Sequence, residues 1–278
     1  MLINLLIAMA AGGLGALIGG TQTFIMTGFV GIISAVFVAV GQGSAFFDTQ
    51  VVNQMFLPAI IFNGDVVATA YAAKHYDIRG HETNRSLAFT KDSKVILMGC
   101  LGGLLGFLVY SLAVYLKLPC DQGSVAVILV GILTRVLLGQ ERKINPDGLK
   151  FIEGDGTPDS DGGASVWSFH ILMALIAGLA MGYFVKATQL YTIGFSISAV
   201  TLIFGLTDPH FPTTHHITLV AGYCVQATGN VFMGAMFAII AELINLVFGE
   251  IFNNECGTHL DPPAVAIFIC SLIIFTLL

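Results

Sequence analysis

Two carboxylates stand inside long apolar stretches of the sequence, where an ionisable side chain is costly. Asp65 lies in FLPAIIFNGDVVATAYAA, and Glu242 lies in GNVFMGAMFAIIAELINLVFGE. A charge at the centre of a bilayer costs about 2.5 to 3.5 kcal/mol on insertion scales, so both acids are predicted to face a cavity and bind a proton or another cation. The alternative for Asp65 is a protonated carboxyl that is hydrogen-bonded to a neighbouring helix. The alternative for Glu242 is an ion pair with Arg135 or Lys117.

Polar residues that interrupt or begin an apolar segment supply further candidate groups. Asn63 and Gly64 directly precede Asp65, and a helix break there would free backbone carbonyls for a cation or a solute. Asp121 and Asp261 each precede an apolar segment, where Asp is first of all a helix N-cap. If the segment after Asp261 is re-entrant, its positive N-terminal end would also help to hold an anion.

Histidines cluster in two connecting stretches, TDPHFPTTHH at 207–216 and NNECGTHLD at 253–261. Imidazole and thiolate are common ligands of transition metals. The spacing matches no known zinc motif, so hydrogen-bonded loop histidines are the favoured interpretation and a metal site is the alternative. The candidate ligands for that alternative are His215, His216, His259 and Cys256.

The composition indicates whether these groups lie in a water-soluble protein or in a membrane protein. Hydrophobic residues make up 56% of the 278 residues, charged residues only 10%, and there are 32 glycines. That is too little polar surface for a soluble globule of this size. The chain is predicted to be an all-α polytopic membrane protein of a prokaryotic plasma membrane, with some segments re-entrant or broken. Its ten apolar segments are 2–19, 23–41, 51–74, 94–116, 124–139, 166–186, 190–206, 214–228, 229–250 and 262–278.

The sequence repeats itself across a polar linker. TQTFIMTGF at 21–29 returns as TQLYTIGF at 188–195, and CDQGSVAV at 120–127 returns as LDPPAVAI at 260–267. The same alignment places Asp65 on Asn230. It predicts a first five-helix repeat at 1–139 with a polar loop at 75–93, a linker at 140–165 and a second five-helix repeat at 166–278. An odd number of crossings inverts the second repeat relative to the first, which is the 5+5 inverted-topology plan of many transporters.

Two amides open the helices that begin the repeated phrases. Gln22 and Gln189 lie near the starts of these helices, where uncharged amides can orient a polar solute and free N–H groups attract an anionic end. Thr21 and Thr188, directly before them, are reasonable N-caps. A purely structural role for both Thr-Gln pairs is therefore the alternative.

The basic residues predict the orientation in the membrane. If all ten segments cross, nine of the 11 Lys and Arg residues fall on the side of the two polar loops and only Lys117 and Lys186 fall on the other. Cytoplasmic loops are enriched in Lys and Arg. We therefore expect loops 75–93 and 140–165 to be cytoplasmic and both termini to be outside.

These features favour a transporter or channel for a small polar or ionic solute, coupled to H⁺ or Na⁺, with a midplane site between the two repeats. The alternatives are an ion-conducting or structural subunit of a larger membrane complex and, third, a membrane-embedded metal enzyme. No P-loop, GxSxG, HExxH or dinucleotide motif occurs, so no cofactor and no enzymatic activity are expected. The expected partners are the bilayer, the solute, and another copy or other membrane subunits, with no nucleic acid. The predicted site residues are Asp65, Asn63, Gly64, Asn230, Gln22, Gln189, Glu242, Asp121 and Asp261.

Overall fold

The computed structural model describes residues 2–41, 48–139, 143–148, 164–208 and 210–278, and within these ranges it contains helices and no strands. A π-helix, Asp48–Phe56, precedes α3, and a short 3₁₀-helix, Leu87–Thr90, precedes α4. Most of the linker 140–165 lies outside the described residues. The ten α-helices of the described ranges are α1 Leu2–Ile18, α2 Gly20–Ala39, α3 Ile61–Ala72, α4 Ser93–Tyr115, α5 Gln122–Leu138, α6 Ala164–Thr188, α7 Ile193–Gly205, α8 His215–Thr228, α9 Val231–Phe252 and α10 Pro262–Leu277.

Each predicted apolar segment coincides with one of these helices. Five helical stretches are long and apolar enough to cross a membrane, namely Gly20–Ala39, Val51–Ala72, Ser93–Tyr115, Val166–Thr188 and Val231–Phe252. Four further apolar helices are shorter, α1, α5, α7 and α10. The all-helical prediction is confirmed for the described residues, and the long apolar helices are consistent with an integral membrane protein.

Polar caps explain where four of the helices start. Asp92 accepts a hydrogen bond from the N–H of Lys94 at the start of α4, and Asn230 accepts from two N–H groups at the start of α9. Asp121 and Asp261 do the same for α5 and α10. Such caps satisfy N–H groups that a helix start leaves without partners. The predicted capping role of Asp121 and Asp261 is thus confirmed.

The two halves of the chain pack in the same pattern. In the first half α1, α3 and α4 pack against one another, with α5 against α3 and α4, and α2 against α3. In the second half α6, α8 and α9 form the corresponding group, with α10 against α8 and α9, and α7 against α8. The halves meet chiefly through two helix pairs, α2 with α7 and α5 with α10.

Both of these helix pairs are antiparallel. Gly28 of α2 lies against Ala199 and Val200 of α7, whereas Ala35, further along α2, packs in the cluster that contains Ile193. In the second pair, the N–H of Asp121 donates to the hydroxyl of Ser271 over 2.8 Å. Later in α5, Gly131 lies beside Leu260, just before α10.

Glycines allow the helices of the first half to approach closely. A Cβ on Gly106 of α4 would overlap the carbonyl oxygen of Ala59, and a Cβ on Gly103 would overlap the backbone of α1. Gly178 of α6 lies in the same way against Ala235 and Ala238 of α9, where its Cβ would lie 2.6 Å from the Ala238 methyl. Small residues at helix interfaces are the usual means of close packing in a membrane.

Replacing Gly106 with alanine should destabilise the protein, because the new methyl would overlap the Ala59 carbonyl. Overpacking of this kind costs about 1 to 3 kcal/mol. Gly205 at the end of α7 is the matched control, since its Cβ would have no atom within 4 Å. Thermal unfolding in detergent should show a lower melting temperature for Gly106→Ala and an unchanged or higher one for Gly205→Ala. Equal melting temperatures would contradict the packing argument.

Candidate functional site

The two halves of the chain enclose a cavity between them. Its volume is about 570 Å³, within the range of roughly 300 to 1,000 Å³ that is usual for small-molecule pockets. Helices α2, α3 and α5 of the first half line it together with α7, α8 and α10 of the second half. Since neither half forms the cavity alone, the site depends on how the two halves pack.

The cavity is open at one end and closed at the other. Phe24 and Val38 of α2 both line it, and fourteen helical residues span about 21 Å. Near Val38, the lining residues Tyr191 and Thr192 are exposed. At the opposite end Phe24 and Phe62 are buried. We refer to these two ends as the open end and the closed end.

Aromatic rings fill the closed end. The ring centroid of Phe24 lies 6.1 Å from that of Phe62, 5.5 Å from that of Phe195 and 4.5 Å from that of His215. Phe62 also meets His259 edge to face at 5.5 Å. These five rings, the aromatic plug, come from α2, α3, α7, α8 and the loop before α10. They separate the cavity from the loops beyond its closed end.

Carboxylates from both halves face the cavity. Asp121 accepts a hydrogen bond of 2.6 Å from the hydroxyl of Tyr223, and Asp261 lies 3.2 Å from Nε2 of His259. Both acids line the cavity, and no Lys or Arg side chain lines it within the described part of the chain. The local field therefore favours a cationic or uncharged solute over an anion.

Asp65 lies beyond the aromatic plug, with the backbone of Gly20 and the hydroxyl of Thr69 as its polar neighbours. Its side chain is fully buried, and neither carboxylate oxygen has a hydrogen-bond partner among the described residues. The backbone of Gly20 and the Thr69 hydroxyl lie beside it without hydrogen-bonding geometry. Gly20 is the first residue of α2, one turn or about 6 Å before Phe24. A buried carboxylate with no partner is costly, so this position suits a proton or a bound cation.

Two more buried oxygens, on the same helices as Gly20 and Asp65, also lack partners. The hydroxyl of Thr69 and the side-chain oxygen of Gln22 have no hydrogen-bond partner among the described residues. The carbonyl of Thr83 faces Gly20 from the loop before α4 and accepts from the N–H of Thr21. Oxygens of carboxylate, hydroxyl, amide and carbonyl groups are the ligands that hard cations prefer.

Glu242 is held between two histidines from other helices. Its Oε1 lies 2.5 Å from Nδ1 of His170 on α6, and its Oε2 lies 2.5 Å from Nε2 of His216 on α8. The ion pair with Arg135 or Lys117, considered from the sequence, does not form. His170 was not predicted as a site residue, because nothing in the sequence near it indicates that α6 packs against α9 at this level.

The other predicted site residues divide between the two ends of the cavity and the surface. Asn63 is buried in α3 and donates to the carbonyls of Ala59 and Ala126, and Gly64 packs on the backbone of α1 without breaking the helix. Gln189 lines the open end. Gln22 lies at the closed end, where its amide donates to the Asn84 carbonyl over 2.8 Å.

Asn230 is not brought to Asp65. It is exposed and caps α9, whereas Asp65 lies in the middle of α3. The structure therefore does not bring these two predicted site residues together. The N-cap interpretation of Thr21 and Thr188 is wrong, because the residue that caps α2 is Gly19 and the residue that caps α7 is Thr192.

The four residues predicted as metal ligands do not form one group. His216 bonds to Glu242, and the ring of His259 lies near Asp261. His215 belongs to the aromatic plug, and the Cys256 carbonyl, not its thiol, faces His81. Among the described residues no cluster of three or more His, Cys, Asp or Glu side chains is placed to hold a metal ion. The geometry gives no support to a metal site with these ligands.

Arg135 fixes the loop that carries the closed end of the site. Its guanidinium donates to the hydroxyl and carbonyl of Thr258 and to the carbonyls of Phe252 and Lys143. The side chain is buried, with the residue 7% exposed. Five N–H donors in a rigid fork suit such a set of acceptors. Arg135 thereby holds the chain between α9 and α10, including His259 of the aromatic plug.

Arg135→Met should loosen this loop, because four acceptors would lose a charged donor. Loss of one hydrogen bond to a charged group costs about 1.5 to 3 kcal/mol, and the costs of several lost bonds do not add in full. We expect a marked fall in melting temperature and faster protease cleavage within 253–261. Lys94→Met is the control, since Lys94 is exposed at the start of α4. Equal stability of the two variants would show that Arg135 does not hold the loop.

The helices and the cavity define an all-helical protein consistent with integral membrane proteins, with a site formed by both halves. The chain belongs to a family described as a family of unknown function (DUF7973), whose family model matches residues 1–142 and 163–278. The stretch between the two matches falls within the polar linker. No curated protein and no solved structure matches the chain.

Proposed function

We propose that the protein is a membrane transporter or channel for a small cationic or uncharged polar solute. The cavity between the halves, open at one end and closed by the aromatic plug at the other, is the observation that carries this proposal. A solute site that is reached from one side only, with a gate of a few side chains on the other, is the geometry that alternating access requires.

The proposal includes a 5+5 inverted-topology repeat. Its support is that the two helix pairs joining the halves, α2 with α7 and α5 with α10, are antiparallel, as inverted equivalents must be. The alignment that places Asp121 on Asp261 also places Gly131 on Ser271. In the structure Asp121 contacts Ser271, and Gly131 contacts the residue before Asp261, so each contact has its counterpart with the halves interchanged. Gln22 and Gln189, which open the repeated phrases, lie at opposite ends of the cavity.

The membrane orientation is part of the same proposal. The loop 75–92 and the loop 253–261 pack together, because Nδ1 of His81 lies 2.6 Å from the Cys256 carbonyl and Arg79 pairs with Glu255. These loops lie beyond the closed end, on the side rich in basic residues. By the positive-inside rule the closed end faces the cytoplasm and the open end faces outward.

Asp65 is proposed as the site of the coupling cation. It lies one helical turn beyond the aromatic plug, so an ion bound there would contact the start of α2, the helix that also carries Phe24. Binding energy at Asp65 would then change the position of a plug residue, which is what coupling of ion and solute needs.

Solute binding can be tested by thermal unfolding in detergent with methylammonium, tetramethylammonium, glycine and acetate as probes. A ligand at 100 times its Kd stabilises the folded state by about 2.7 kcal/mol, so a cationic or zwitterionic probe should raise the melting temperature. Asn53→Trp should remove the shift, because Asn53 lines the cavity and the indole would fill it. Phe29→Trp is the control, since Phe29 is 48% exposed and faces away from the cavity. A shift with acetate alone would contradict the charge argument.

Ion coupling can be tested in liposomes by measuring proton and sodium flux of the wild type and of Asp65→Asn. The amide cannot neutralise a cation, so we expect at least a tenfold loss of cation-dependent flux. Asp77→Asn, at an exposed acid of the same side, should behave as the wild type. Equal flux in Asp65→Asn and the wild type would mean that the Asp65 carboxyl is structural.

A further inference from the structure

The buried contacts of Glu242 extend in both directions. On one side Glu242 meets His170, whose side chain is 24% exposed. On the other side it meets His216, whose side chain is fully buried. The ring of His216 is followed by that of His215, with centroids 5.7 Å apart, and His215 lines the cavity. Hydrogen bonds thus join His170, Glu242 and His216, and a ring contact without a hydrogen bond continues from His216 to His215 at the cavity.

The line of these four side chains ends within the aromatic plug. α6 runs from Ala164 to Thr188, next to the open end, and His170 lies eighteen residues before Thr188, or about 27 Å along the helix. His170 therefore lies at the level of the closed end. His215, at the other end of the line, is part of the plug and faces the cavity. A proton that moved along the line would cross the plug without any displacement of Phe24.

We propose that His170, Glu242, His216 and His215 form a proton relay between the closed side of the protein and the cavity. The proposal rests on the transport function proposed above and specifies a route for protons that is separate from Asp65.

The chemistry of each step uses ordinary proton transfer. An imidazole that takes up a proton on one ring nitrogen can release a proton from the other, and a carboxylate can accept on one oxygen and donate after reorientation. The two oxygens of Glu242 face different rings, Nδ1 of His170 and Nε2 of His216. One proton enters at the free nitrogen of His170 and one leaves at the cavity side, so the net charge is restored after each passage. Each ring is then left with its N–H on the other nitrogen, and ring rotation or tautomer exchange resets it before the next proton.

Two ring nitrogens at the cavity end are unoccupied by hydrogen bonds. Nδ1 of His216 and Nδ1 of His215 are buried and have no partner among the described residues. A buried polar atom without a partner is uncommon and calls for an explanation. Release of the proton between these rings and into the cavity gives both nitrogens a function.

Other polar groups near the relay come from α9 and from the start of α10. Glu250, two turns after Glu242 on α9, acts electrostatically on His170. Asp261 at the start of α10 and Glu242 itself act on His215, and Asn245 donates weakly to Glu242 over 3.4 Å. Acids at both ends of the line stabilise a proton that enters or leaves it.

Proton uptake at the outer end can be followed with the protein's single tryptophan. Trp167 lies three residues before His170 on α6, hence on the same helix face, and a protonated imidazole quenches a nearby indole. Purified protein in detergent should show pH-dependent quenching that is absent in His170→Gln. In Glu242→Gln the pH dependence of the quenching should change, because the amide cannot exchange a proton with the ring of His170. Glu255→Gln, at an exposed acid, should titrate as the wild type.

Proton transfer itself can be measured in liposomes that contain a pH-sensitive dye, under an imposed membrane potential. Wild-type protein should carry protons faster than protein-free vesicles, and His216→Gln should reduce the rate at least tenfold. His75→Gln, at an exposed histidine of the loop after α3, should leave it unchanged. If His216→Gln does not fold, His170→Gln interrupts the same path at a less buried position and should lower the proton flux in the same way.

The outcomes separate the relay from the transport proposal. Loss of proton flux in His216→Gln with an unchanged thermal shift by methylammonium or glycine supports the relay. Wild-type proton flux equal to that of empty vesicles would overturn the relay, whatever the solute measurements show. The same holds if the pH dependence of Trp167 fluorescence is unchanged in Glu242→Gln. Absence of any solute-induced thermal shift with normal proton flux would instead overturn the solute site and leave the relay intact.

Discussion

The antiparallel pairing of α2 with α7 and of α5 with α10 is the constraint on which the site depends. α2 and α7 approach closely at Gly28 and Gly31, where a Cβ would overlap the backbone or the hydroxyl of Ser196. Elsewhere along the pair larger side chains keep the helices apart. Because a helix satisfies its own backbone hydrogen bonds, helices can diverge inside an apolar bundle without leaving unpaired N–H or C=O groups. A cavity can therefore form between the halves without leaving backbone hydrogen-bonding groups unpaired.

The polar side chains at the closed end show two different solutions to burial. Glu242 has a ring nitrogen against each of its oxygens, so its charge is shared within a hydrogen-bonded group. Asp65 has no imidazole partner among the described residues, and the Gly20 backbone and the Thr69 hydroxyl lie next to it without hydrogen-bonding geometry. A buried carboxylate in this setting requires a proton or a cation, whereas a carboxylate between two imidazoles can pass a proton from one ring to the other. The two acids are therefore suited to different tasks.

Much of the fold could be predicted from the sequence because hydrophobic length and caps are local signals. The ten apolar segments and the capping roles of Asp121 and Asp261 follow from composition and from residue type before a helix. The register of the proposed repeat could not be fixed, because apolar sequence matches at many offsets. The alignment set Asp65 on Asn230, whereas Asn230 caps a helix, as Asp92 does, and Asp65 lies in the middle of α3.

The partners of the buried acids could not be predicted, because they depend on contacts between distant parts of the chain. Glu242 was recognised from its apolar surroundings, but His170 lies 72 residues away on a helix whose facing residues are set by packing. The aromatic plug is likewise assembled from five separate segments, and none of its five rings is unusual in its own segment. Local patterns indicate that a buried acid needs a partner, and only the tertiary structure shows which one.

Asp65 and Glu242 both lie at the closed end, so the two halves of the proposed repeat differ in their buried ionisable groups. A perfect inverted repeat would place equivalent groups at opposite ends, as it does for Gln22 and Gln189. Counted from the caps of α4 and α9, however, the first-half position equivalent to Glu242 is Leu104, which cannot carry a proton. All four residues of the proposed relay therefore lie in the second half, and the first half has no carboxylate at the position equivalent to Glu242. In this proposal the helices of the two halves correspond while their ionisable groups differ, so protons from the relay and solute from the open end would reach the cavity from different sides.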